Sequence, residues 1–235
     1  MRFQTELVPA RLIQRYKRFL ADCTLENCGT NVTAHCANPG SMMGLAEPGA
    51  RIWLEPNDDP RKKLKYGWRL VDHENGHFTG VDTSLPNRVL KQSLVKRAIP
   101  QLAAYGMVRP EVKYGQNSRI DFLLSEPGLP DLYVEVKSVT LSRTTEQAEF
   151  PDSVTARGAK HLAELSDMVR AGHRAMMLYL VQRTDCKTFT LASDIDPAYE
   201  LAFHKAKELG VEILCLGTNI TPNGVEISAP LKVDI

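Results

Sequence analysis

Hydrophobic and polar positions change texture once along this chain. Up to about residue 82 the apolar positions come in short, partly alternating runs, which predicts strands over residues 15–23, 31–36, 51–55, 67–73 and 77–82. The segments between them, NCGTN, NPGSMMG, EPNDDP and HENGH, are built from turn formers. Five short strands of this kind fit a small barrel or a sandwich. A five-stranded oligonucleotide-binding barrel is one of the small β folds that the pattern leaves open.

Beyond residue 82 the spacing lengthens. Leu85-Pro86-Asn87 opens a helical stretch, RVLKQSLVKRAIPQL, that stops near Pro100. Extended apolar runs follow over residues 111–114, 119–124 and 132–140. A helix comes next, with Thr155 as its N-cap, Gly172 past its end, and Leu162, Leu165, Met168 and Val169 on its apolar side. Then come a buried strand over 175–181, a helix over 197–209 ended by Gly210, and a strand over 211–216. The order α-β-β-β-α-β-α-β predicts a mixed α/β sheet carrying one antiparallel hairpin. The expected organisation is therefore two domains, a small β-barrel over 1–83 and an α/β domain over 84–235.

Composition adds exclusions. The 235 residues are 43% hydrophobic, 24% charged and 7% aromatic, which excludes a disordered chain, a collagenous repeat and a coiled coil. No run approaches the roughly 20 apolar residues of a bilayer span, and the N-terminal MRFQTELVPARLIQRYKRFL is broken by charge. A soluble, cytoplasmic protein without a membrane partner is expected. Cys23, Cys28, Cys36, Cys186 and Cys215 contain no CxxC pair, so core thiols in a reducing compartment fit better than a zinc knuckle.

Net charge is only +1, but the halves differ: residues 1–110 carry +6 and residues 111–235 carry −5. Three basic clusters lack any interleaved acid: Arg11/Arg15/Lys17/Arg18, Arg61/Lys62/Lys63/Lys65/Arg69 and Arg88/Lys91/Lys96/Arg97. Tyr16, Phe19, Tyr66 and Trp68 stand among the first two. Cations beside stackable rings point to a nucleic-acid groove; the alternative is a solvated surface with its rings turned inward.

Chemistry concentrates at Asp121, Glu135 and Lys137. SRIDFLL and YVEVKSV read as neighbouring strands joined by SEPGLPD, which would bring Asp121 beside Glu135. Glu135 and Lys137, two residues apart, share a strand face. Carboxylates among Val, Phe, Leu and Ile need compensation. A hard dication, Mg²⁺ or Mn²⁺, held by Asp121 and Glu135 would supply it, with Lys137 offsetting further charge. Such a set suits phosphodiester hydrolysis. The plainer reading is an edge-strand Glu–Lys pair next to an unrelated Asp.

Other signatures are weak or missing. His73-Glu74-Asn75-Gly76-His77 spells HExxH, but Asn-Gly between β-forming runs predicts a hairpin turn rather than the helix that zinc chemistry requires. No GxxxxGK[ST], GxGxxG or GxSxG run occurs.

On RLIQRYKRFLADC, HCANPGSMMG, VKYGQNSRIDF, YVEVKSVTL and FPDSVTARGAKHL, the chain resembles the bacterial sugar fermentation stimulation protein A family. Over residues 87–181 it also resembles the PD-(D/E)xK nuclease superfamily in its α-β-β-β-α-β order. The resemblance implies an N-terminal OB-like barrel, a nuclease-like C-terminal domain, non-specific DNA binding and a link to regulation of sugar (maltose) metabolism. It places the helix face of Arg157, Lys160 and His161 beside the carboxylates, where cations would meet a phosphate; the plainer reading pairs Arg157 or Lys160 with Glu164. It also equates the first-helix acid of many relatives with Gln92, a neutral residue, so metal binding should be weak.

The expected protein is a DNA-binding one with a Mg-dependent nuclease-like site, its DNA contacts at Arg11, Arg15, Lys17, Arg18, Arg61, Lys62, Lys63 and Lys65. A DNA-binding regulator with a vestigial carboxylate site is the chief alternative. A sequence-specific transcription regulator and a hydrolase of some other phosphoester are two more. The oligomeric state stays open, a homodimer included.

Overall fold

The computed structural model describes residues 1–115 and 118–235. Its N-terminal strands are β1 (Val8–Tyr16), β2 (Leu20–Leu25), β3 (Asn31–Cys36), β4 (Arg51–Pro56), β5 (Tyr66–Asp72) and β6 (Phe78–Gly80). They pair in the order β3-β2-β1-β4-β5-β6, and a parallel β3–β5 pairing closes the first five into a barrel. Alternation dictates its interior: Ala21, Cys23 and Leu25 of β2 point in while Leu20, Asp22 and Thr24 are half-buried on the outside. Ala10, Ala34 and Cys36 are small, and the buried Trp68 packs in the same core with its indole N–H donating to the Leu70 carbonyl at 2.9 Å.

Two strand expectations are corrected. Residues 15–23 form no continuous strand, because Lys17 and Arg18 take φ of 49° and 63° and turn the chain from β1 into β2. No turn former marks that bend; pairing of β1 with β4 and of β2 with β3 imposes it. The run over 77–82 supplies β6, which lies outside the closed ring. The HExxH segment is a hairpin turn, with Glu74 and Gly76 at φ of 56° and 89° and the His73 N–H donating to the His77 carbonyl at 3.0 Å. Its imidazoles part company, His73 to Thr79 at 2.8 Å and His77 to Thr184 at 3.2 Å.

The second domain begins with α1 (Leu85–Val95) and a 3-10 turn (Pro100–Leu102). Its strands are β7 (Met107–Tyr114), β8 (Ser118–Ser125), β9 (Leu132–Val139), β10 (Leu141–Thr144), β11 (Gln147–Phe150), β12 (Arg174–Val181), β13 (Thr188–Leu191), β14 (Glu212–Thr221), β15 (Gly224–Pro230) and β16 (Lys232–Val233). Its other helices are α2 (Ala156–Arg170) and α3 (Pro197–Glu208). The main sheet runs β15-β14-β12-β9-β8-β7, with β9, β12 and β14 parallel. Leu90 and Leu94 of α1 pack on Phe122, Val134 and Leu178 from one side; Leu162 and Leu165 of α2 and Phe203 of α3 pack on Leu123, Met177 and Tyr179 from the other. A small sheet, β10-β11-β13-β16, adds strands of two to four residues that the sequence pattern does not reveal. Among the described residues, no helix is long and apolar enough to cross a membrane.

Helix α2 is seated by two caps. The Thr155 hydroxyl accepts from the Gly158 N–H at 3.1 Å, and the Thr155 N–H donates to Asp196, the residue that also caps α3 through Tyr199 N–H. Gly158 has a packing reason: a Cβ there would lie 2.9 Å from the Tyr199 ring.

Barrel and α/β domain meet through an apolar seam of Leu7, Leu70, Leu85, Val89, Ile220 and Val225. Beside it runs a chain of charges. Arg69 of β5 donates to Glu55 at 2.7 Å and to Asp82 at 2.5 Å, and Asp82 also accepts from Arg88 of α1 at 2.8 Å. The other Asp82 oxygen accepts from Ser84 N–H and Oγ, at the start of α1. Asp82→Ala leaves Arg69 with Glu55 alone, frees the partly exposed Arg88 and removes the acceptor for Ser84, and urea unfolding is expected to show a loss of about 1–3 kcal/mol. Arg61→Ala, which breaks a pair at the surface, should leave the midpoint in place.

Candidate active site

The hairpin β8–β9 has the expected register. Phe122 faces Val134 and Leu124 faces Leu132, so Asp121 and Glu135 come next along the ladder. There the strands part. The Val136 N–H donates to the Asp121 side chain at 2.7 Å, and Asn87 Nδ2 of α1 donates to the other Asp121 oxygen at 2.7 Å. Burial, then the charge of Glu135, pushes the Asp121 carboxyl up to about 6, against the Val136 and Asn87 hydrogen bonds and Lys137.

Glu135 is buried, with 3% of its surface exposed. Lys137 Nζ donates to Glu135 Oε1 at 2.8 Å, and His161 Nδ1 of α2 meets the same oxygen. Burial pushes this carboxyl up, but the His161 hydrogen bond and the Lys137 charge outweigh it and hold it below its ordinary value. The two acids are thus pulled in opposite directions.

The His161 tautomer follows from its neighbours. Arg157 Nε donates to His161 Nε2 at 3.2 Å, and a guanidinium can only donate. His161 therefore carries its proton on Nδ1 and gives it to Glu135. The 3.2 Å approach of Lys137 Nζ to Nδ1 is then two donors sharing one acceptor, not a hydrogen bond between them.

The hairpin reading puts Asp121 beside Glu135 and Lys137, the resemblance adds the face of Arg157 and His161, and the fold brings all five together. Gln92 is a correction: it is exposed, five residues beyond Asn87 and so roughly 140° round the helix from the residue that reaches Asp121. Lys160 leans to Glu164 at 3.5 Å, the pairing that was the plainer expectation. Sequence reasoning misses Asn87 and Tyr114 at the site, and it gives Glu164 only as a partner for Arg157 or Lys160. Glu164 accepts from Ser118 at 2.8 Å, and burial, then Glu135, Glu164 and Asp121, raises the Tyr114 phenol far above its ordinary range. The only advance signal for Asn87 was its place just after Pro86, at the start of a helix.

The donors suit a hard cation. Among the described residues, Glu135 Oε2 is buried without a partner, and each Asp121 oxygen accepts one hydrogen bond out of two lone pairs. Among the described residues, no three His, Cys, Asp or Glu side chains converge to chelate a metal by themselves. A dication would take these two carboxylates and complete its shell with water, as Mg²⁺ commonly does.

The basic clusters divide by what their cations are bonded to within the chain. Arg11 is forked onto Glu74 at 2.7 and 2.9 Å and also pairs with Glu26. Arg15 donates to the carbonyls of Arg18, Asn38 and Gly40 at 3.0, 2.8 and 3.0 Å, and so holds the 38–41 loop. Arg61 is forked onto Asp59 at 2.8 and 2.9 Å, and Lys65 Nζ donates to the Asp59 carbonyl at 3.1 Å. Lys17, Arg18, Lys62 and Lys63 are exposed.

A closed five-stranded barrel ahead of a mixed sheet with an Asp and a Glu-x-Lys on adjacent strands defines the class: an OB-type barrel joined to an α/β domain of PD-(D/E)xK type in fold. The model described as "Sugar fermentation stimulation protein RE domain" matches residues 84–224, and the one described as "SfsA N-terminal OB domain" matches residues 13–81. The chain belongs to the sugar fermentation stimulation protein family. It is 77% identical to the homolog of Roseobacter denitrificans over 233 residues, 99% of each chain. To that of Ruegeria pomeroyi it is 77% identical over 228 residues, 97% of this chain and 99% of the relative. The solved structure of Pyrococcus furiosus SfsA in complex with Ca²⁺ superposes with a TM-score of 0.89 at 27% identity, covering 100% of this chain and 98% of that one.

Nitrogen-15 NMR of the metal-free protein checks the tautomer. His161 should show a protonated Nδ1 and a bare Nε2, and Arg157→Ala should free the ring to exchange between forms. A protonated Nε2 in the parent would contradict the assignment.

Proposed function

We propose that this protein binds DNA with little sequence preference and that its α/β domain is a Mg²⁺- or Mn²⁺-dependent phosphodiesterase acting on it, in the service of sugar-metabolism control. One observation carries the catalytic reading: two carboxylates on adjacent strands, one with a buried oxygen that has no partner among the described residues, lie against a lysine and a histidine. The archaeal relative's structure is titled as a complex with Ca²⁺, an oxygen-preferring dication, which supports a cation at such a site in this family.

When bound, the dication supplies Lewis-acid polarisation of a phosphate oxygen and a more acidic water. The protein's own groups do the rest. Asn87 and the Val136 N–H aim Asp121, while His161 and Lys137 aim Glu135. Lys137 has three protons and gives one to Glu135, so two remain to hold a nucleophilic water or a phosphate oxygen as negative charge develops. Arg157 keeps His161 oriented and has further donors for the phosphate. Lys17, Arg18, Lys62 and Lys63 make no salt bridge among the described residues, and they are the cations left to meet the phosphate backbone.

In calorimetry with Mn²⁺ and in nicking of supercoiled plasmid, Asp121→Asn should lose both metal heat and cleavage while DNA affinity holds. Lys137→Ala should keep the metal and cut about 100-fold more slowly or worse. Metal binding without nicking in the parent would favour a DNA-binding regulator with a vestigial site; no metal heat would remove the site.

The binding reading has its own test. Glu substitutions at Lys17, Arg18, Lys62 and Lys63 should weaken all DNA sequences alike and flatten the log–log salt slope by roughly 3–4. One sequence that keeps high affinity through the change would contradict it.

A further inference from the structure

The barrel carries exposed rings that its core does not need. Phe19, in the β1–β2 turn, is 44% exposed, and its ring stacks on the imidazole of His35 at 6.4 Å between centroids with 22° between planes. His35 is itself exposed on β3 and sits opposite Gly67 of β5, which has no side chain to cover it. The other rings noted among the cations are taken: Trp68 fills the core and Tyr16 donates to Asp22 at 3.2 Å.

A cleft of about 670 Å³ continues from His35, lined by Tyr66, Lys62, Lys63, Arg69 and Glu55 among others. That volume lies within the usual range of small-ligand sites. Of its two acids, Glu55 is paired with Arg69 and accepts from the Gln4 N–H at 2.6 Å, and Asp58 lines the cleft together with the two lysines. Lys17 and Arg18, both exposed, precede Phe19 in the β1–β2 turn. The turn, β3 and the cleft therefore offer a ring pair, a half-buried phenol and four cations.

Resting on the DNA-binding reading above, we infer that this strip selects single-stranded over double-stranded DNA, with unstacked bases seated on Phe19–His35 and in the adjoining cleft. In a duplex each base face is already covered by its neighbours, so exposed rings gain nothing from it beyond charge. In a single strand the faces are free, and one base stacked on an aromatic side chain adds on the order of tenfold in affinity without regard to sequence. The phosphates between the bases meet Lys17, Arg18, Lys62 and Lys63.

Fluorescence anisotropy on the full chain, with labelled oligothymidine and a duplex of equal length at one salt concentration, tests this. The parent should prefer the single strand by about tenfold or more. Phe19→Ala combined with His35→Ala should remove most of that preference, lowering single-strand affinity about tenfold while duplex affinity stays, and Phe19→Trp should keep it. Unchanged urea midpoints confirm that the surface variants fold. Equal affinity for the two forms in the parent, or an equal loss for both in the double variant, overturns the inference and leaves general DNA binding standing. Absence of binding to either form overturns the DNA-binding reading along with it.

Discussion

Asp82 accepts hydrogen bonds from two guanidinium groups that belong to different parts of the molecule, Arg69 on the barrel and Arg88 on the first helix, and it is only 2% exposed. A charge so placed is costly to desolvate, and a buried ion pair is a weak source of net stability. What it supplies is position. The carboxylate is satisfied only when α1 starts at one place relative to β5, because its second oxygen is occupied by Ser84 N–H and Oγ. Asn87 lies in that first turn and reaches Asp121. The orientation of a site acid thus traces back to a side chain on the barrel.

Within the site, electrostatics divides two similar groups. Glu135 has a lysine and a histidine on one oxygen and stays ionised readily, whereas Asp121 has only neutral donors and feels the charge of Glu135. The pair is therefore asymmetric before anything binds. A dication held by both would remove the repulsion that Asp121 feels, and it would find on Glu135 an oxygen without a partner among the described residues. Arg157, two bonds removed, governs the arrangement through the imidazole tautomer.

The site was legible wherever it depended on period and register. Glu135 and Lys137 share a face because a strand repeats every two residues, and Asp121 meets Glu135 because the turn-rich SEPGLPD closes a hairpin. Capping was legible too, at Thr155. What did not show was whatever pairing decides. Nothing in Tyr16-Lys17-Arg18-Phe19 announces a turn, and strands of two to four residues leave no period to detect. Gln92 looked like the first-helix partner from its alignment with an acid elsewhere, but helix rotation points it to solvent and offers Asn87 instead. Nor does a run of cations in the sequence say which of them are already bonded within the chain, as Arg11, Arg15 and Arg61 are.

Arg15 shows the consequence. It sits in the most basic stretch of the chain, yet its guanidinium is spent on the Asn38 and Gly40 carbonyls. The loop it holds then meets the α/β domain, where Ser41 Oγ donates to the Asp152 carbonyl at 2.9 Å, three residues ahead of the α2 cap Thr155. A Cβ on Gly40 would fall 2.4 Å from the Asp152 carboxylate, so a larger residue would turn that side chain away from the Ser41 hydroxyl and the Met42 N–H. The barrel therefore braces the α/β domain twice, through Asp82 at the helix that supplies Asn87 and through Arg15 at the entrance to the helix that supplies Arg157 and His161. Cations from two of the basic runs, Arg15 and the Arg69–Arg88 pair on Asp82, thus act as struts on both sides of the acid pair.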